Sequence, residues 1–161
     1  MGNWKLVKEP VLVLGIGNIL MRDEGVGVHT AAELIKRPLP EYVEVLDGGT
    51  SGADLLDFIA DRRKVVIIDA ADADVEPGTI LKLKPDDLEE TGCCTISLHE
   101  FGVAQTILAA RHLNCAPKEA VIIAVKPYEL SAGIGLSKQM QKRVPILLEA
   151  VLEEIGRPLE N

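Results

Sequence analysis

Val11-Leu12-Val13-Leu14, stopped at Gly15-Ile16-Gly17-Asn18, decides the fold. Four consecutive apolar residues leave no polar face, so a strand built from them must be covered on both sides. The glycines that follow let the chain turn sharply. A central strand of a mostly parallel sheet reads this way. Two further runs share the pattern. Val65 to Ile68 ends at Asp69, and Ala120 to Val125 is cut by Pro127. Tyr42 to Leu46 predicts a fourth strand, stopped at Asp47-Gly48-Gly49. Thr79 to Lys84 alternates as a half-exposed strand after the Pro77-Gly78 turn, and with no helix before it an antiparallel edge strand is the expectation.

Helical segments fall between these runs. One is expected from about Gly25 to Lys36, ended by Pro38 and Pro40. Ser51 caps a second, with Leu55, Leu56 and Ile59 on its apolar side. Ser97 opens a third, running to about Leu113, after a loop-like stretch from Pro85 to Thr95. Ser137 starts a closing helix with Val144, Leu147, Leu148, Val151 and Ile155 on one face. Alternating strands and helices favour an α/β three-layer sandwich with helices on both faces of the sheet.

The 161 residues fit one domain over 1–161. A domain of that size buries roughly 70% of its unfolded surface, so it needs no disulfide or structural metal. Nearly half the residues are apolar but only 3% are aromatic, which describes a core of Val, Ile, Leu and Ala. Seventeen basic against 25 acidic residues leave a net charge of −8. Without a basic cluster this argues against nucleic-acid or anionic-membrane partners. Nothing approaches the ~20 apolar residues of a membrane span, and the Val11 to Leu14 run is too short for a signal sequence. Cys93, Cys94 and Cys115 form neither a disulfide framework nor a zinc spacing, which suits a reducing cytoplasm.

Polar residues gather where the parallel strands end, which is where open α/β sheets bind ligands. Strand one is followed by Asn18 and Asp23-Glu24, strand two gives Asp47, and strand three gives Asp69. Gly15-Ile16-Gly17-Asn18 begins like a dinucleotide fingerprint, but Leu20 stands where the third glycine belongs, and Asp47 lies too far on for the ribose-binding acid. Asp23-Glu24 also suits a plain interaction with a helix dipole. The adjoining Gly25-Val26-Gly27 is less usual, since each glycine costs a helix about 1 kcal/mol; it fits a place where something large approaches the backbone. Ser97-Leu98-His99-Glu100 has the form of a capping box, which accounts for Ser97 and Glu100 but leaves His99 over. An imidazole beside two carboxylates can ligate a divalent metal. His29 and His112 read as surface or packing residues.

The ordered blocks Val13 to Leu20, Asp23 to Gly27, Asp47 to Gly52, Ile67 to Ala70, Ser97 to His99, and Lys126-Pro127 with Gly133 to Ser137 together resemble the hydrogenase maturation protease family. They span nearly the whole chain. The resemblance implies a twisted, mostly parallel five-stranded sheet flanked by helices. It implies an endopeptidase that removes the C-terminal extension of a nickel–iron hydrogenase large-subunit precursor after nickel insertion. It places a metal site on Glu24, Asp69 and His99, with nickel supplied by the substrate, and gives Glu24 and Asp69 the catalytic role. Asp47, Gly48, Gly49 and Thr50 fall on the segment that binds or processes the substrate. Lys126 before Pro127 and Ser131 in the same loop depart from many relatives, which bears on substrate choice.

Three protein ligands leave positions open for an ion the substrate holds. No serine or cysteine has an adjacent histidine motif, so direct attack by water is expected. A metal could activate that water, or a carboxylate could act as general base. A noncatalytic metal-centre chaperone, and a metal-dependent hydrolase of another peptide or amide, are the competing readings. No tightly bound organic cofactor is expected, and the reading is compatible with a monomer.

Overall fold

A computed structural model describes residues 10–50, 54–90 and 98–158, with the side chains of 88–90 and 98–101 outside that description. Five strands form one sheet in the order β2-β1-β3-β5-β4. They are β1 (Val11–Ile16), β2 (Val43–Gly49), β3 (Lys64–Ala70), β4 (Ile80–Leu83) and β5 (Glu119–Val125). The first three and β5 run parallel, and β4 lies antiparallel on β5. The antiparallel edge strand expected from the Pro77-Gly78 turn is therefore present. Gly78, at φ +85, makes that turn possible and donates to Lys126 O at 2.7 Å.

Alternate residues of the central strands feed two separate cores. Val11, Val13, Val66, Ile68, Val121 and Ile123 pack against helices α1 (Val26–Ile35) and α6 (Val144–Gly156), which supply Val26, Leu34, Leu147 and Val151. Leu12, Leu14, Val65, Ile67 and Ile122 pack on the other face against α2 (Leu55–Ile59) and α4 (Leu98–His112), through Leu55, Ile59, Val103 and Ile107. Each fully buried aliphatic side chain contributes about 1.5–3 kcal/mol, so the unbroken apolar runs both form and cover the sheet. These are the three layers expected.

Three local expectations are corrected. Strand β2 does not stop at Asp47: it continues through Gly49, where Ile16 pairs with Gly49 after a register shift beside Gly15. The stretch from Pro85 is not all loop, because α3 (Pro85–Glu90) occupies its first half. Proline is favoured at a first helical position, and the Asp87 carboxylate accepts the Lys84 N–H at 2.7 Å, as in half a capping box. The closing helix is broken. Ser137 caps a short α5 (Lys138–Gln141), its hydroxyl accepting the Met140 N–H at 3.2 Å, and the chain restarts as α6 with Pro145 in its first turn. The expected caps at Ser51 and Ser97 lie outside the described residues, as do Cys93 and Cys94; Cys115 is a free thiol.

At the opposite end of the sheet from the strand carboxyl termini, Lys64 is buried and paired. Its ammonium lies 2.7 Å from Glu154 Oε1 and 3.2 Å from Glu119, and donates to the Glu154 carbonyl at 2.9 Å. Lys82 also pairs with Glu154. This network ties α6 to β3, β4 and β5.

Candidate active site

The segment after β1 is shaped by what it must pack against. Residues 22–25 form one 3-10 turn that leads into α1 and packs on β3. Gly17, at φ +146, lies so close to this turn that a Cβ there would be 1.9 Å from the Glu24 carbonyl oxygen. Gly27 sits on the strand ends themselves: a Cβ would meet Ile68 O at 2.1 Å and Ile16 O at 2.3 Å. Gly25 and Gly27, which suggested a large approaching group, thus admit the protein's own backbone, a Cβ at Gly25 meeting Ile19 Cα at 2.9 Å. Their effect is to bring the first turn of α1 directly over the carboxyl ends of β1 and β3. Glu24 and Asp69 consequently share one edge of the sheet.

Asp69 is almost fully buried, in register with Ala124 of β5, and one of its oxygens accepts the Ala70 N–H at 2.8 Å. Glu24 is half-buried in the 3-10 turn. His99 lies in the first turn of α4, and its side chain is outside the described residues. Among the described residues no three acidic, histidine or cysteine side chains gather as a metal cluster. Of the expected trio, Asp69 lies near the carboxyl end of β3, Glu24 in the turn packed against it, and the His99 side chain outside the described residues.

Asp23 has a different job from the one its pairing with Glu24 suggested. It is fully buried. Its Oδ1 accepts the Ser137 N–H at 2.7 Å, and its Oδ2 accepts Tyr128 N–H at 3.0 Å, Glu129 N–H at 2.9 Å and the Ser137 hydroxyl at 2.8 Å. Four hydrogen bonds occupy this carboxylate and pin the loop between β5 and α5 beside the 3-10 turn. That loop is also bridged to Met21 through Gly133. Sequence patterning could not reveal this, because every partner is more than a hundred residues away.

The Asp47-Gly48-Gly49-Thr50 segment lies on the same edge. Asp47 is exposed, and its side chain accepts the Gly49 N–H at 2.8 Å. Gly49 adopts φ +52, and its carbonyl accepts the Gly17 N–H at 2.9 Å. Gly48 is buried against Leu14. Asp47, Gly49 and Thr50 line a cavity of about 290 Å³ together with Asn18, Ile19, Leu20 and Val28. Ile19 and Leu20 fall in the first block of the family resemblance without being among its site residues, and Val28 carries no signal in the sequence beyond being apolar. Lys126, the departure noted in the closing loop, pairs with Asp72. His29 is half-buried, as a packing role requires, and lines a second cavity of about 330 Å³ between α1 and α6.

Fold and site define an α/β protein with carboxylates and a cavity of about 290 Å³ at the strand carboxyl ends, where proteins of this class bind ligands. Comparison with known proteins makes the class specific. A family model described as hydrogenase maturation protease matches residues 28–154. The hydrogenase 2 maturation protease of Escherichia coli is 38% identical over 144 residues, covering 88% of each chain. The solved structure of the hydrogenase maturating endopeptidase HybD from E. coli is similar with a TM-score of 0.80 at 37% identity, covering 91% of this chain and 93% of that one. The [NiFe] hydrogenase maturation protease HybD of Thermococcus kodakarensis is similar with a TM-score of 0.74 at 25% identity, covering 91% and 99%. The chain belongs to the hydrogenase maturation protease family. No helix among the described residues is long and apolar enough to cross a membrane.

Proposed function

We propose that this endopeptidase removes the C-terminal extension of a nickel–iron hydrogenase large-subunit precursor once nickel has been inserted, working in the cytoplasm and recognising the ion the substrate carries. The observation that supports the reading is that the turn carrying Glu24 packs against β3, which ends in Asp69-Ala70, with Gly17 and Gly27 allowing the close approach. Carboxylate oxygens suit a divalent ion, and His99 in the first turn of α4 is the candidate for a borderline nitrogen donor. Glu24, Asp69 and His99 are the proposed ligands, with the substrate completing the shell. Bound there, the ion would orient and polarise the peptide group to be cut. Asp47, Gly48, Gly49 and Thr50, beside the 290 Å³ cavity, are proposed to hold the extended tail.

The hydrolytic step is proposed as direct attack by water on the scissile carbonyl. A site carboxylate takes the proton of the attacking water, and the leaving amine gains a proton as the C–N bond breaks. Glu24 is half-buried and reaches the edge from a turn, whereas Asp69 is anchored through the Ala70 N–H. Glu24 is thus the better placed base and Asp69 the better fixed ligand. Incubation with a nickel-loaded precursor tests the reading. Release of the tail supports it, stable binding without release supports a metal-centre chaperone, and neither outcome favours a hydrolase of another substrate.

A further inference from the structure

Ten large hydrophobic side chains are exposed among the described residues, and four of them stand on just two loops. Ile19 and Leu20 follow β1, and Leu130 and Ile134 follow β5. Ile134 is the most exposed of all ten, at 78%, and Leu20 follows it among these four at 59%. Isolated exposed aliphatics are ordinary, but a group of them beside a functional edge marks an interaction site.

The two loops are locked to each other around Ile134. The Gly133 N–H donates to Leu20 O at 2.8 Å, and the Arg22 N–H donates to Gly133 O at 3.1 Å. Arg22 Nη1 donates to the Ile134 carbonyl at 3.0 Å. The guanidinium lies close against Gly133, where a Cβ would come within 2.5 Å of Nε. Arg22 holds φ +48 to do this and leaves its Nε buried without a hydrogen-bond partner, a strained arrangement for a residue with a side chain. On the other side Gly135 adopts φ +87, with open space around it. The four hydrogen bonds to Asp23 fix both ends of the same loop. A great deal of polar structure therefore holds one aliphatic side chain out in water.

We infer that Ile134, with Leu20 beside it, is a preorganised docking anchor that enters an apolar recess of the hydrogenase large-subunit precursor. The inference rests on the proposed function and names the surface by which that partner is held. Rigid display removes the ordering cost a floppy loop would impose on binding. The partner is specified by continuity: Leu20 also lines the cavity shared with Asp47, Gly49 and Thr50, and Glu24 lies four residues further along. A protein whose tail enters that cavity meets Leu20 on its wall, and the Gly133 N–H to Leu20 O hydrogen bond sets Ile134 next to that residue. The partner's contact with the anchor is apolar because the Ile134 side chain offers only hydrocarbon, while the Asp23 carboxylate that fixes the loop is buried.

The test is binding and cleavage of purified nickel-loaded precursor by wild type, Ile134→Asp, Ile134→Ser and Leu113→Asp. Leu113 is 62% exposed just beyond α4, away from this edge, and serves as the control. Both Ile134 variants should raise Kd and KM about tenfold or more, with kcat within about twofold and an unchanged melting temperature. Leu113→Asp should match wild type in all of these. Wild-type affinity and KM in Ile134→Asp, or equal losses in Leu113→Asp, would overturn the inference. If wild type binds the precursor without cutting it, the protease reading fails while the Kd values still decide the anchor. If wild type does neither, both fail.

Discussion

Asp23 and Ser137 stand 114 positions apart and are joined twice, the backbone N–H of Ser137 donating to one carboxylate oxygen at 2.7 Å and its hydroxyl to the other at 2.8 Å. The neighbouring Glu24 is a proposed site residue, and the proposal therefore assigns structure to one of two adjacent acids and chemistry to the other. Asp23→Ala removes four hydrogen bonds to a buried carboxylate and strands three backbone N–H groups, with a cost of about 3 kcal/mol or more. Glu24→Ala should cost less than about 1 kcal/mol and abolish processing. Urea unfolding midpoints beside precursor cleavage check the contrast. Equal destabilisation by both changes would contradict the division.

Gly49→Val places a β-branched residue at φ +52, where strain of about 1–3 kcal/mol is expected. A Cβ there meets only Asp47 Oδ1, at 3.9 Å, so the cost is backbone strain and not collision. The variant should fold with a lowered midpoint and lose cleavage rate more than it loses metal affinity. Paired measurements of tail release and of cation binding would show this. Wild-type cleavage by a folded Gly49→Val protein would mean the turn only connects β2 to α2.

Glu154 supplies a pH dependence of stability. Burial by itself raises its pKa, but hydrogen bonds and attraction from Lys64 and Lys82 outweigh that and hold it below the ordinary glutamate value. A carboxyl with a lowered folded-state pKa stabilises the fold fully above its unfolded value of 4.5 and progressively less as pH falls through the folded value. Stability should therefore drop on acidification below about pH 4.5, and Glu154→Gln should flatten that part of the curve. The substitution also weakens the pairing of buried Lys64, costing about 3 kcal/mol at neutral pH. Denaturant midpoints from pH 7 to 3 for both proteins check it, and an unchanged acid slope in Glu154→Gln would contradict it.

The strands were legible because runs such as Val65 to Ile68 are apolar on both faces, and only a covered parallel strand uses such a run. The edge strand was legible from Pro77-Gly78. Helix α3 was missed because six residues carry no apolar period, although Pro85 and Asp87 were a usable start signal. The break between α5 and α6 was missed because the apolar face that begins at Val144 continues smoothly, and only Pro145 marks the restart. The positions of Asp47 and Asp69 near strand carboxyl ends, and of Glu24 in the turn after β1, were legible from the apolar runs that precede them. The partition of Asp23 from Glu24 was not, since its partners Tyr128, Glu129 and Ser137 meet it only through the sheet's connectivity. Gly27 was read correctly as a place of close approach but with the wrong visitor, the carbonyls of Ile16 and Ile68.

The central claim is that the chain works on an ion the substrate brings, with Glu24, Asp69 and His99 as an incomplete set of ligands. Three ligands, two of them carboxylates, select poorly among divalent ions and should hold none tightly alone. The most direct measurement combines metal analysis of the purified protein with cleavage of nickel-loaded and nickel-free precursors side by side. The account predicts no stoichiometric tightly held metal, release of the tail from the nickel-loaded precursor, and an intact nickel-free one. One tightly bound zinc per chain, with both precursors cut at the same rate, would contradict it.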